Sequence, residues 1–270
     1  SWVEAARHLC YPITMPSWFR SAVLGLAVAS ACSSGGGDLN QLVEKPKPVG
    51  NPIAAAAPGS PTALGDKQTL KAEGVVVTAV DTYDETKDGK GIGDIYVQDA
   101  VQTGPKGTPW SGIKLYRPSK NPPDLDLVPG HGVNLEGEYK LLFGPPGSTP
   151  FDPGLVLVEA VTPAVTLTFE GRPPAPIDLT YDDVKDPKVA QQYQSRLVRF
   201  KNVKLTSDFT GKRFEAKTDG GFGMAAKFFP IHEVAALNPK SGTTFKSVTG
   251  IFDFFYSYKL CPRSAADVEL

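Results

Sequence analysis

Cysteine and methionine are scarce, at three and two in 270 residues. Three cysteines exclude a disulfide-stapled scaffold and a cysteine-rich zinc protein. Three histidines are present. His131 lies in a Gly-rich turn and His232 in an expected helix, and neither has a Cys, His or HxE-type partner at ligand spacing. A GxSxG elbow and a Walker loop are both missing. Gly89-Lys90-Gly91-Ile92-Gly93 is glycine-rich, but a strand follows it rather than a helix, so it reads as a hairpin loop and not a phosphate cradle. Excess charge is lacking too. The 28 Lys and Arg against 29 Asp and Glu leave −1, which excludes a strongly basic nucleic-acid packager. Hydrophobic residues are 41%, a little under the ~45–50% of a globular domain. What abounds is punctuation: 27 glycines and 25 prolines. That composition argues for short strands and many turns, and against a helical bundle.

The sequence SAVLGLAVASA at residues 21–31 is a small, apolar run. It is too short for a bilayer span, which needs ~20 residues, but it fits a signal-peptide core of ~7–15. Arg20 supplies the positive flank, and Met15 just upstream is the expected start of translation, leaving residues 1–14 as an upstream extension. The core ends in Ala29-Ser30-Ala31-Cys32, which resembles the lipobox of bacterial lipoproteins, with Ala29 where Leu is usual. The resemblance implies a diacylglyceryl group on Cys32, cleavage before it, and further acylation such as palmitate. Each buried CH₂ contributes ~0.8 kcal/mol, so two or more chains anchor firmly. Ser33 rather than Asp follows the cysteine, which by resemblance to the Gram-negative sorting rule implies the outer membrane of the cell envelope. With Cys10 removed and Cys32 acylated, Cys261 is left alone in an apolar strand and reads as a buried, inert thiol.

Residues 32–67 carry the lipidation site and a Pro-, Gly- and Ala-rich stretch with no aromatic residue and no apolar period. They are expected to be a disordered linker, partly extended at ~3 Å per residue. Strand signals begin near Leu70. The clearest is residues 133–141, where Val133, Leu135, Tyr139 and Leu141 alternate with polar residues and Gly137 marks a bend or bulge. Further strands are expected at 74–83, 94–99, 112–117, and 155–160 with 165–169, giving a β domain over residues 68–177. A short helix capped by Asp186 with Pro187 in its first turn follows. A second strand set fills residues 178–270. Its first strand, 197–205, changes phase near Lys201-Asn202, a bulge signature. Strands at 213–217 and 224–229, a helix at 230–237 and a long strand region at 244–260 complete it.

LEGEY (135–139) and VTGIF (248–252) both place Gly third and an aromatic fifth. Three strands, a helix, then two strands is the order of the OB-fold. The second unit carries that helix; in the first, residues 118–123 form a loop in its place. GDIYVQDA (93–100), SGIKLY (111–116), GHGVNLEGEY (130–139) and PRSAAD (262–267) resemble the OB-like domains of bacterial secreted nucleases and lipoproteins. The resemblance implies a mainly β protein: two tandem OB-like five-stranded Greek-key barrels. In that family such domains accompany a catalytic domain or stand alone as binding modules, and this sequence shows no nuclease domain.

Charge divides the halves. Residues 67–170 hold 9 Lys and Arg against 14 Asp and Glu, whereas 178–270 hold 14 against 11. Arg196, Arg199, Lys201, Lys204, Lys212, Arg213 and Lys217 group on the first strands of the second unit, with Phe214, Phe222, Phe228 and Phe229 nearby. OB barrels bind single strands or glycans on that face. In the first unit Tyr96, Trp110 and Tyr116 are the equivalent candidates. Candidate ligand-binding residues are therefore Tyr96, Trp110, Tyr116, Arg199, Lys201 and Arg213. Asp84, Thr86, Asp88 and Gly89 mimic the first half of a calcium loop, but its twelfth position is Ile95 and the bidentate Glu is missing. The turn reads as solvated; Asp84, Asp88 and Asp94 are the residues a calcium ion would use. No cofactor is expected.

The expectation is a membrane-anchored, non-catalytic lipoprotein: an extracytoplasmic binding or interaction module for an envelope glycan or partner protein. Single-stranded nucleic-acid binding through the OB faces is the second reading. An accessory domain pair in an extracellular hydrolase system is the third.

Overall fold

Period-2 alternation builds the first sheet. The computed structural model describes residues 50–81, 93–143, 155–210, 215–225, 239–254 and 257–270. Strands β1 (Thr69–Val80), β2 (Ile95–Gln98), β3 (Gly112–Tyr116), β4 (Ser119–Asn121), β5 (Gly132–Phe143) and β6 (Val156–Phe169) form one sheet. β1 pairs antiparallel with both β2 and β5, β2 with β3, and β5 with β6. A parallel pairing of β3 with β6 closes these five strands into a barrel. Val75, Val77, Ile95, Val97, Ile113, Leu115, Val133, Leu135 and Val165 fill it.

The irregularity expected at Gly137 has a visible cause, and β1 carries a second one that the sequence did not announce. The β5–β6 register shifts between Glu136 and Glu138. Gly137 sits at that bulge because a Cβ there would lie 2.7 Å from the Pro163 Cα. In β1 the register shifts between Val77 and Ala79, leaving Thr78 as the extra residue. The shift reverses the strand's phase: Val75 and Val77 face the barrel core, whereas Ala79 turns outward beside Tyr96. Residues 118–123, expected as a loop, carry the short β4, which lies parallel to β6.

The expected linker needs correction. Residues 50–67 are folded onto the barrel. Pro52–Ala56 form helix α1, with Ile53 only 2% exposed in the barrel core. The helix is held from outside its own stretch. Ile53 N and Ala54 N donate to the two carboxylate oxygens of Asp99, each at 3.0 Å. Residues 33–49 and Cys32 lie outside the described residues, as do the expected helix at 230–237 and residues 82–92 and 211–214.

The second sheet contains β7 (Ile177–Leu179), β8 (Arg196–Lys204), β9 (Glu215–Lys217), β10 (Gly223–Ala225), β11 (Thr244–Phe254), β12 (Tyr258–Cys261) and β13 (Val268–Glu269). Helices α2 (Tyr181–Val184) and α3 (Pro187–Ala190) separate β7 from β8. Asp186 caps α3 by accepting from Lys188 N, as its place before Pro187 implies. The strand order is β7-β8-β11-β12-β10-β9, with β13 paired to β11. β10 and β12 run parallel. A bridge between Leu205 and Thr218 joins the end of β8 to the chain after β9. The phase change in β8 is present: Val198, Phe200, Val203 and Leu205 are all buried in one core. It is not a register bulge, because β8 keeps step with β11 throughout. Asn202 takes a left-handed φ of 56° instead, and β11 shifts phase with it, burying both Phe245 and Val248.

The outer face of β1–β3 packs against β8, β11 and β12. Ala79, Tyr96, Leu197, Ala225, Ile251 and Cys261 form a small apolar cluster there. Around it, Leu197 N donates to Gln98 Oε1, and Arg263 NH1 donates to the Thr78 carbonyl at 3.2 Å. Arg196, fully buried, donates through NH2 to Gln102 Oε1 and to the Lys106 carbonyl, each at 3.1 Å.

Candidate binding groove

Tyr96 is the clearest departure from expectation. It is 1% exposed, and its hydroxyl donates to Asp253 Oδ2 at 2.9 Å. Burial and the neighbouring Asp253 push the phenol well above its ordinary pKa. A stacking platform needs an open ring face, and the second sheet covers this one. Trp110 is half-buried against the barrel core, with a φ of 59° and its backbone N–H on the Gln192 carbonyl at 2.8 Å. Tyr116 is half-buried, with Lys114 Nζ 5.8 Å and the Arg117 guanidinium 5.2 Å from its ring centre. Burial opposes the charge on Lys114, yet the ion pair with Glu159 and the nearby Asp253 hold its pKa above the ordinary value. The three aromatic residues do not form one platform.

Of the three candidate cations, the two described ones meet at one carboxylate, that of Asp178. Arg199 makes a two-pronged contact with Asp178, Nε to Oδ1 at 2.6 Å and NH2 to Oδ2 at 3.0 Å. That contact holds the Asp178 carboxyl below its usual range. Lys201 Nζ lies 3.7 Å from the same carboxylate. Arg213, Asp84 and Asp88 lie outside the described residues. Asp94 is buried and accepts from Arg117 N at 3.1 Å. Among the described residues no group of three His, Cys, Asp or Glu is placed to hold a metal ion.

A groove of about 510 Å³ lies on the β9–β10 side of the second sheet, and sequence reasoning named only two of its residues, Lys217 and Phe222. Alternation in β9 builds one wall: Ala216 turns into the core, while Glu215 and Lys217 turn out. The segment after β8 supplies Ser207 and Thr210; Ser257, just before β12, supplies the far side. The turn at 218–222 closes one end. Gly221 takes a φ of 77° there, and the Thr218 hydroxyl donates to the Phe222 carbonyl while accepting from Gly220 N. The Lys259 stem lies beside Gly223: a Cβ there would meet Lys259 Cγ at 3.4 Å, an ordinary van der Waals contact.

Lys259 is 5% exposed and its Nζ lies 3.4 Å from Glu215 Oε2. Phe222 is 4% exposed, packed edge-on to Tyr181 and tilted against Phe200. It therefore belongs to the core and offers no ring to a ligand. The signal that marks the groove in sequence is the outward parity of Glu215 and Lys217. The contribution of Lys259 depends on a parallel pairing that no local pattern discloses. Protein-family models, curated proteins and solved structures yield no match to this chain.

Proposed function

We propose that this protein is a lipid-anchored, non-catalytic binding module of the bacterial cell envelope, and that it takes an envelope glycan in the β9–β10 groove. In this reading the second sheet is an OB-like barrel in tandem with the first, spanning residues 178–270 after a first domain that takes in residues 50–67 as well as 68–177. The strand pairings favour it: β8 with β11, β11 with β12, β12 parallel to β10, and β10 with β9. The first barrel uses the same sequence of contacts. The order is that of an OB barrel, whose ligand face lies on its second and third strands.

One observation carries the choice of site. The second- and third-strand face of the first barrel is closed by Tyr96 and its partners, whereas the matching face of the second sheet carries an open groove with hydroxyls and charges in its lining. A groove of this volume suits a small ligand or a short stretch of polymer. Its described lining presents hydroxyls and charges and no open ring. Base stacking, worth about 1–3 kcal/mol per base in sequence-tolerant strand binding, has no platform among the described lining residues.

The anchor rests on Ala29-Ser30-Ala31-Cys32. In growing cells, labelled palmitate is expected on the wild-type chain and not on Cys32→Ser. Label retained on the variant overturns the anchor at this position. For the groove, the purified chain in detergent is screened against immobilised envelope glycans, single-stranded DNA and candidate envelope proteins. Glycan retention is expected. Retention of DNA that falls steeply with salt, or of a protein alone, replaces the glycan reading.

A further inference from the structure

The groove offers three polar heads that nothing else in the described structure uses. The Thr210 and Ser257 hydroxyls make no hydrogen bond among the described residues, and Lys217 Nζ makes no ion pair. The other polar lining groups are engaged. Ser207 Oγ donates to the Asp208 carbonyl and accepts from Lys217 N, Thr218 Oγ1 serves the turn, and Glu215 pairs with Lys259. The Glu215–Lys259 pair is close to neutral as a unit. Among the described lining residues the exposed Lys217 then adds one positive charge with no ion-pair partner.

Resting on the glycan reading above, we propose that the ligand is an acidic sugar: Lys217 pairs with its anionic group, and Thr210 and Ser257 bond its hydroxyls. A sugar hydroxyl both donates and accepts, as does a Ser or Thr hydroxyl, so these heads match without a fixed polarity. A neutral sugar would leave the ammonium without a counter-charge. Among the described lining residues Lys217 is the one cation without an ion-pair partner, a single charge where a polyanion such as nucleic acid is met by a row. The anionic group can be the lactyl carboxylate of a muramic acid or the ring carboxylate of a uronic acid; the chemistry that Lys217 reads is the same.

Calorimetric titration of the full chain in detergent separates the cases with four disaccharides. N-acetylglucosaminyl-N-acetylmuramic acid is set against chitobiose, and digalacturonic acid against its dimethyl ester. In at least one pair the acid is expected to bind about tenfold more tightly than its neutral counterpart, as a charge-assisted contact implies. Preference in the first pair assigns a wall strand, and preference in the second a polyuronate. Lys217→Gln is expected to erase the difference while sparing the neutral sugar, and Lys217→Arg to keep it. Equal binding of acid and neutral forms overturns the acidic sugar and leaves the glycan reading standing. Binding of none of the four overturns both. A Lys217→Gln chain that loses acid and neutral sugars alike assigns Lys217 a shaping role and overturns the charge pairing.

Discussion

Asp99 shows how one side chain can hold a segment far from it in sequence. Its carboxylate accepts from two amides of α1 and feels Arg196, all of which favour the charged form. Burial outweighs them, and its pKa rises to about 6. A carboxyl whose pKa is higher folded than unfolded stabilises the fold below its unfolded pKa. That contribution is lost as pH rises through the folded one. The window therefore runs from about pH 4 to about pH 6, and the loss across it is of the order of 3 kcal/mol. Asp99→Asn cannot titrate. Urea unfolding at several pH values is expected to give the variant a flatter stability profile than the wild type across that window. Parallel profiles would mean that Asp99 does not titrate between these limits. Arg196 responds to the same setting: burial lowers its pKa to about 10, with Tyr193 and Asp99 opposing the shift.

At the scale of elements, α1 was hidden in the sequence while the strands were plain. PIAAA has no amphipathic period, and its cap sits 45 residues away in Asp99. Composition reports local burial poorly when the partner is distant in the chain. The consequence is measurable. A chain beginning at Gln68 loses the burial of Ile53, worth about 2–3 kcal/mol. It also leaves the Asp99 carboxylate without its two donors, and it loses Asp66, which accepts from Leu141 N. Such a chain is expected to unfold at clearly lower urea than one beginning at Gly50, by about 3 kcal/mol or more. Equal midpoints would show that α1 contributes nothing. Strands were legible because each leaves a period-2 trace. Val133 to Leu141 shows it, and so does the phase change at Asn202, although its cause, a left-handed residue matched by β11, was not readable. The groove was half legible. Lys217 stood among the cations, but Lys259 and Ser257 reach it through the β10–β12 pairing. The aromatic candidates misled because an outward strand position was read as an open one, and Tyr96 points outward into a neighbour.

For the molecule as a whole, the packing between the barrel and the second sheet decides whether they come apart. Opening it would strip water-excluded partners from several groups at once: the Tyr96 hydroxyl from Asp253, Leu197 N from Gln98, and Arg196 from Gln102 and the Lys106 carbonyl. Each buried polar group left unmatched costs about 1–3 kcal/mol, and charged groups cost more. Summed over the seam, that approaches the whole stability of a small domain, about 5–15 kcal/mol. Separation and unfolding should therefore coincide. Cys261 reports on this directly, since its thiol is 1% exposed in the cluster that joins the two sheets. In a chain carrying Cys10→Ser and Cys32→Ser it is the sole thiol. Its labelling by a maleimide across a urea series is expected to track the loss of ellipticity. Tyr96→Phe, which removes a seam contact and no core volume, is expected to move both curves together to lower urea. Labelling that runs ahead of the ellipticity change would mean that the sheets part while each stays folded, and the closed face of the first barrel would then be open to ligand for part of the time.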